Sequence, residues 1–214
     1  MKECASYPYS VHEPYLHCPK GGLLTLSRLP IASTSFEPYA ERGLWYTPML
    51  LDRLFFKGMS ITSIIWNKIP IVIINTHLLA NFAGDWNRRG MYAHVEEKQL
   101  QQLAVTVRAQ PKDSIVIVAG DFNIPRGSKL YQDFLGRSGL TDLLAGDTRP
   151  TLRIPLTVPS RFSFAIDYVF VKMPEKYSLH VGSDLCFSGK YWIHNRHQGY
   201  LSDHLGVEIC MTTN

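Results

Sequence analysis

Four places in this 214-residue chain set Asp, Asn or His against the edge of an apolar run. Asn75-Thr76-His77 closes the run that begins at Ile71, and Gly120-Asp121-Phe122-Asn123 follows Ser114-Ile115-Val116-Ile117-Val118-Ala119. Asp167 opens Tyr168-Val169-Phe170-Val171, and Ser202-Asp203-His204 precedes Leu205-Gly206-Val207. A histidine titrates near neutrality and can take a proton from water. A carboxylate behind it can fix its tautomer and support its cationic form. Carboxylates are also the ligands that a hard divalent cation prefers. The chemistry open to such a set is acid–base hydrolysis. One strand end with a polar residue is ordinary, but four in one chain are hard to assign to turn chemistry alone. The plainer readings are Asp121 and Asn123 as turn formers, Asp167 as a strand cap and His77 as a satisfied core histidine.

These side chains can meet only if the runs that carry them are strands ending on one side of a scaffold. Residues 114–119 are apolar and β-branched and read as a buried strand, after which Gly120 lets the backbone turn. Asp121 and Asn123 are two residues apart, so in extended chain they point the same way. Ile71-Val72-Ile73-Ile74 is apolar on both faces, which makes its strand central. With residues 57–66 it forms a hairpin turned at Asn67-Lys68-Ile69-Pro70. Residues 94–110 are a helix, because Leu100, Leu103, Ala104 and Val107 recur at helical spacing between polar residues. Residues 127–135 are a second helix with Ser128 as its N-cap. Residues 1–19 read as irregular, 21–28 and 36–46 as strands, and 146–161 as a proline-punctuated loop. Strands return at 165–172, 179–186 and 205–211. Asp203 and His204 are neighbours, so they can share a site only where the chain bends. The order of elements indicates a mixed α/β layered fold, read as one domain over residues 1–214.

Apolar residues make up 45% of the chain and charged residues 19%, which gives a globular protein with a sizeable core. The net charge of +4 suits a phosphate-bearing substrate and is far from that of a nucleic-acid-binding tail. Cys4, Cys18, Cys186 and Cys210 form no CxxC pair, which argues against a zinc knuckle, and buried thiols are expected. The longest apolar stretch, 61–80, is interrupted by Asn67, Lys68, Pro70 and Asn75, so it is no membrane span. The loop 81–92 carries Phe82, Trp86, Arg88, Arg89 and Tyr92 just beyond His77. Aromatics beside arginines can meet a lipid interface, a choline group or stacked bases. His94, His194 and His197 belong to no motif and are read as surface residues.

Five ordered segments carry a resemblance: Gly-Gly-Leu-Leu-Thr-Leu-Ser-Arg from Gly21, Asn-Thr-His-Leu from Asn75, Gly-Asp-Phe-Asn from Gly120, Ile-Asp-Tyr-Val-Phe-Val from Ile166 and Ser-Asp-His-Leu from Ser202. In this order they resemble the endonuclease/exonuclease/phosphatase superfamily, which includes deoxyribonuclease I. Asn123-Ile124-Pro125-Arg126-Gly127-Ser128 and Gly139-Leu140-Thr141-Asp142 look most like its neutral-sphingomyelinase-like branch, with Lys57-Gly58 in slight support. The resemblance implies a four-layered α/β sandwich, two mixed β-sheets face to face with helices outside. It implies a phosphodiester hydrolase dependent on Mg²⁺, with Mn²⁺ as an alternative. In that reading His204 is the general base with Asp167 behind it. Asp121 and Asn123 position water and phosphate, His77 binds a phosphoryl oxygen or protonates the leaving group, and Asp203 is a metal ligand. The partner is a phosphodiester, phospholipid or nucleic acid, with peripheral membrane contact and a monomeric state. The family's opening strands, and the Glu that is its main Mg²⁺ ligand, are not found here. The sequence is therefore read as N-terminally truncated, lacking the first strands. Three functions stand open: a sphingomyelinase-type phosphodiesterase, a deoxyribonuclease I-like endonuclease, and an inactive fragment without the metal-binding Glu.

Overall fold

The computed structural model describes residues 6–15, 18–86, 90–153, 164–177, 179–193 and 197–213. The chain opens with β1 (Tyr9–Val11), β2 (Pro14–Tyr15), β3 (Cys18–Pro19), a 3-10 turn at Lys20–Gly22 and β4 (Thr25–Ser27). Next come β5 (Ile31–Pro38), α1 (Met49–Leu54), β6 (Gly58–Trp66), β7 (Ile69–His77), α2 (Met91–Ala109) and β8 (Ile115–Asp121). The remainder is α3 (Lys129–Ser138), β9 (Thr141–Asp142), β10 (Asp167–Lys172), β11 (Leu179–Cys186), β12 (Tyr191–Ile193), β13 (His197–Gly199) and β14 (Gly206–Thr213).

A six-stranded mixed sheet in the order β5-β6-β7-β8-β10-β9 carries the site. β7 and β8 are parallel, joined by the α2 crossover, and β10 runs antiparallel to β8. The C-terminal ends of β7 and β8 therefore lie beside the N-terminal end of β10. Register places His77 opposite Asp121, and Asp121 opposite Asp167. Gly120 is required at this junction. Its φ is 145°, and a Cβ there would stand 1.8 Å from the Thr76 carbonyl oxygen.

One face of the sheet is covered and the other partly so. On one face Leu100, Leu103 and Val107 of α2 and Phe134 of α3 pack with Ile74, Val118 and Phe170. Phe122 is fully buried there against Phe134, Tyr168 and Phe170, which anchors the backbone between Asp121 and Asn123. On the other face Ile64, Ile71, Ile115, Ile117, Val169 and Val171 meet Val207, Ile209 and Met211 of β14, which are only partly buried. Helices, a large mixed sheet and strands of a second sheet give the layered α/β architecture that the motifs imply. Among the described residues the second sheet is represented by the β11–β14 pair.

Several boundaries move. Asn67 and Lys68 alone make the hairpin turn, both at positive φ (50° and 66°), and Pro70 sits in β7 opposite Ile65. The segment 21–28 divides into the 3-10 turn and a three-residue strand, and the strand expected in 36–46 is β5, which ends at Pro38. The opening segment holds short paired strands, not irregular chain alone. The Ser128 hydroxyl does cap α3, accepting from the Tyr131 N–H at 3.3 Å. Cys18 and Cys186 are partly buried and Cys210 is exposed, so these thiols are less buried than expected, and all three are free. His94 and His197 are exposed as expected. Cys4, His194, Arg88, Arg89 and 154–161 of the proline loop lie outside the described residues. No helix among the described residues is long and apolar enough to cross a membrane.

Candidate active site

His204 stands just before β14, bridged backbone to backbone with Leu152. Its Nδ1 lies 2.8 Å from Asp167 Oδ2 at the head of β10. An Nδ1–H donated to the carboxylate leaves Nε2 as the outward nitrogen. The Asp167 hydrogen bond and charge, with Asp121 and Asp203 adding, push the imidazole up to about 9. Asp121 is mostly buried beside this pair, and ligand atoms of Asp121, Asp167 and His204 all lie within 4.8 Å of one another.

Asn123 reaches Asp121 by a route the alternation rule does not give. Its backbone is left-handed (φ 54°), not extended. The Asn123 N–H donates to Asp121 Oδ1 at 2.8 Å, and the amide Nδ2 donates to Asp121 Oδ2 at 3.2 Å and to the Leu78 carbonyl at 3.1 Å. The turn-former reading and the site reading thus hold together, because the turn is what fixes the carboxylate. Burial, and then the charge of Asp167, push Asp121 up to about 6.

His77 Nε2 is 3.5 Å from Asp121 Oδ2 and 3.0 Å from the Lys57 ammonium, while Nδ1 faces the Gly21 carbonyl at 3.3 Å. Burial and the Lys57 charge push this imidazole down to about 4. The short contact with Asp121 is therefore not a charged pair at neutral pH. The Lys57 ammonium donates to Nε2, and the ring proton sits on Nδ1. Lys57 itself is buried, with Asp52 at 2.8 Å and the Leu78 carbonyl at 2.7 Å. Burial holds it below the usual lysine range against the pull of Asp52.

Asp121, Asn123, His77, Asp167 and His204 are brought together. Asp203 is not part of the close group: its carboxylate is exposed and accepts from the Ser202 hydroxyl at 3.3 Å. Asn75 is structural, donating to the Leu24 carbonyl and to Thr25 Oγ1. Lys57 and Asp52 went unread as a site pair, although one acid and one lysine in Leu50-Leu51-Asp52-Arg53-Leu54-Phe55-Phe56-Lys57 are conspicuous charges in an apolar run. In the 81–92 loop, Trp86 and Tyr92 turn inward, and the Trp86 indole N–H donates to the Asn123 carbonyl at 2.9 Å. Phe82 remains 65% exposed.

The donor set fits a hard divalent cation. Burial first, and the neighbouring Asp167 charge second, hold Asp121 above its ordinary value, and a cation between the two carboxylates would offset both. The layered α/β scaffold thus sets one carboxylate at the end of β8 and another at the head of β10, beside a carboxylate-backed histidine. The chain belongs to the Endonuclease/Exonuclease/phosphatase family, whose pattern matches residues 3–204. Sphingomyelinase C of Listeria ivanovii is 25% identical over 159 residues, covering 71% of this chain and 46% of that protein. Sphingomyelinase C of Leptospira interrogans is 28% identical over 115 residues, covering 54% of this chain and 20% of that protein. The chain thus spans less than half the length of these curated relatives. Among solved structures, a beta toxin of Staphylococcus aureus superposes with a TM-score of 0.73 at 20% identity, covering 96% of this chain and 78% of that one. A beta toxin variant from the same organism, with bound magnesium ions, gives 0.67 at 18% identity, covering 95% and 77%. D. rerio TDP2 complexed with a single-strand DNA product gives 0.69 at 18% identity, covering 98% and 78%.

Proposed function

We propose that this chain carries the catalytic centre of a metal-dependent phosphodiester hydrolase acting on a phospholipid of the sphingomyelin type. The observation that supports this most is the His204–Asp167 pair at 2.8 Å, set beside the buried Asp121 carboxylate. In this reading His204 Nε2, in the neutral form that gains population as pH rises toward about 9, takes a proton from the attacking water, while Asp167 holds the Nδ1–H tautomer and stabilises the imidazolium. The water oxygen bonds to phosphorus and the bond to the leaving oxygen breaks. Asp121 orients the water, and Asn123 holds Asp121 in register through its N–H and its amide. His77, neutral and backed by Lys57, faces the phosphoryl oxygens. Asp121 would hold Mg²⁺ with the Asp167 carboxylate alongside, and Asp203, exposed at the rim, could join only if its carboxylate turned toward them. The cation supplies charge that offsets the negative charge gathering on the phosphoryl oxygens.

The substrate class rests on the two sphingomyelinase relatives, and a nuclease reading is favoured by the likeness to the TDP2 structure with its DNA product. The test is turnover of detergent-dispersed sphingomyelin and of plasmid DNA, with and without Mg²⁺. Mg²⁺-dependent release of phosphocholine is the expected result. Nicked plasmid with untouched lipid would move the assignment to a nuclease. No turnover of either by folded protein would overturn the proposal that this chain is itself a hydrolase.

A further inference from the structure

The loop that carries His204 has little sheet of its own: residues 200–205 lie between β13 and β14, and among the described residues they take part in the single bridge between Leu152 and His204. Something else must hold the imidazole against Asp167. The three residues Thr151-Leu152-Arg153 touch both sides of the pair. Thr151 is 1% exposed, and its hydroxyl oxygen accepts from the N–H groups of Ile166 at 3.0 Å and Asp167 at 3.1 Å. Its carbonyl accepts from the Leu205 N–H at 2.7 Å. The Arg153 N–H donates to the Asp203 carbonyl at 2.6 Å. The Arg153 guanidinium donates through Nη1 to the carbonyls of Ser202 at 2.7 Å and His204 at 3.0 Å, and through Nη2 to the carbonyl of Phe187. Its Cζ lies over the Tyr200 ring, 4.3 Å from the centroid.

We infer that Thr151 and Arg153 form a clamp that sets the register of His204 against Asp167, and that Arg153 is a positioning residue for the proposed hydrolysis. The chemistry favours this role over a general staple. The guanidinium points at the carbonyls on both sides of Asp203, so it fixes the peptide planes that aim the His204 side chain. A planar fork can hold divergent carbonyls at once, and charge-assisted bonds to them are stronger than neutral ones. The third carbonyl belongs to Phe187, just past the end of β11 with φ 58°, a conformation that a bulky residue keeps only when its surroundings hold it there. The clamp therefore ties the end of β11 and the head of β10 to the loop before β14. A misplacement of about 1 Å in such a pair can cost about a hundredfold in rate.

The inference rests on the hydrolase reading for its effect on rate, but not for its effect on structure, so two readouts separate the two. The first is amide hydrogen exchange across residues 200–206 in wild type, Arg153→Met and Arg153→Lys, without substrate. Faster exchange in Arg153→Met, with the lysine variant between, is expected. The second is steady-state hydrolysis. Arg153→Met should lower kcat by about ten- to a hundredfold with KM little changed, and added guanidinium ion at millimolar concentration should restore part of it. Thr151→Val should act in the same direction, while Thr151→Ser, which keeps the acceptor, should act much less. If Arg153→Met does not fold, Arg153→Lys carries both readouts. Wild-type exchange together with wild-type kcat in the Arg153 variants overturns the clamp. If the wild-type protein hydrolyses nothing, the hydrolase reading fails and amide exchange alone decides the clamp, with unchanged exchange refuting it.

Discussion

Burial and the neighbouring Asp167 carboxylate push Asp121 up to about 6, so above that pH the fold holds an ionised group partly stripped of water. A carboxyl raised in the folded state contributes stability in full below its ordinary value of about 4, and loses it as pH rises through about 6. At pH 7 the charge therefore costs the free protein up to about 3 kcal/mol. Asp121→Asn should raise the thermal midpoint at pH 7 in the absence of metal while abolishing hydrolysis, which scanning calorimetry and an activity assay would show. A lower midpoint would contradict the reading. His204 is raised to about 9 by Asp167. Its contribution is whole below about 6.5 and fades as pH rises through 9. Asp167→Asn removes the partner that raises it, so the acid limb of the pH–rate profile should move to lower pH as kcat falls about 10²–10⁴-fold. An unmoved limb would separate Asp167 from the titrating base.

Elements deliver these residues because two strands end where a third begins. The close approach of Gly120 to the Thr76 carbonyl lets β7 and β8 end side by side. Gly120→Ala should destabilise by at least about 3 kcal/mol and disorder Asp121 and Asn123, measured as a lower denaturant midpoint together with lost turnover. The Ser128 cap is a milder control: Ser128→Ala should cost about 1 kcal/mol and leave kcat unchanged. The strands of the central sheet were legible because their runs are apolar and β-branched, and α2 because its leucines keep helical spacing. The turn at Asn123 was legible as chemistry but not as geometry, since its left-handed backbone depends on Phe122 being buried on the far side. Lys57 was hard to read for a related reason. Its meaning comes from contacts with Asp52, Leu78 and His77, which lie on α1, beyond β7 and at the end of β7. The Thr151–Arg153 clamp gave no periodic signal, because its side chains bond to backbone groups distant in sequence.

At the scale of the molecule, one side of the central sheet is sealed by α2 and α3, and the other is only partly covered by β14. The site opens at the end of this sandwich, where paired carboxylates and two histidines of opposite protonation preference meet: His77 near 4 and His204 near 9. Mg²⁺ that binds the folded protein should raise its thermal midpoint in a concentration-dependent way, and Asp121→Asn should blunt that rise. The family and the layering followed from ordered motifs. The substrate did not, because in the proposed function the motifs bear on attack at phosphorus and not on the group attached to it. The most direct measurement is Mg²⁺-dependent phosphodiester hydrolysis by the wild-type chain and by His204→Ala, side by side on folded protein. A wild-type rate that falls at least about a hundredfold in the variant, with the thermal midpoint little changed, is the result expected. A His204→Ala protein that hydrolyses at the wild-type rate would contradict the assignment of His204 as the base.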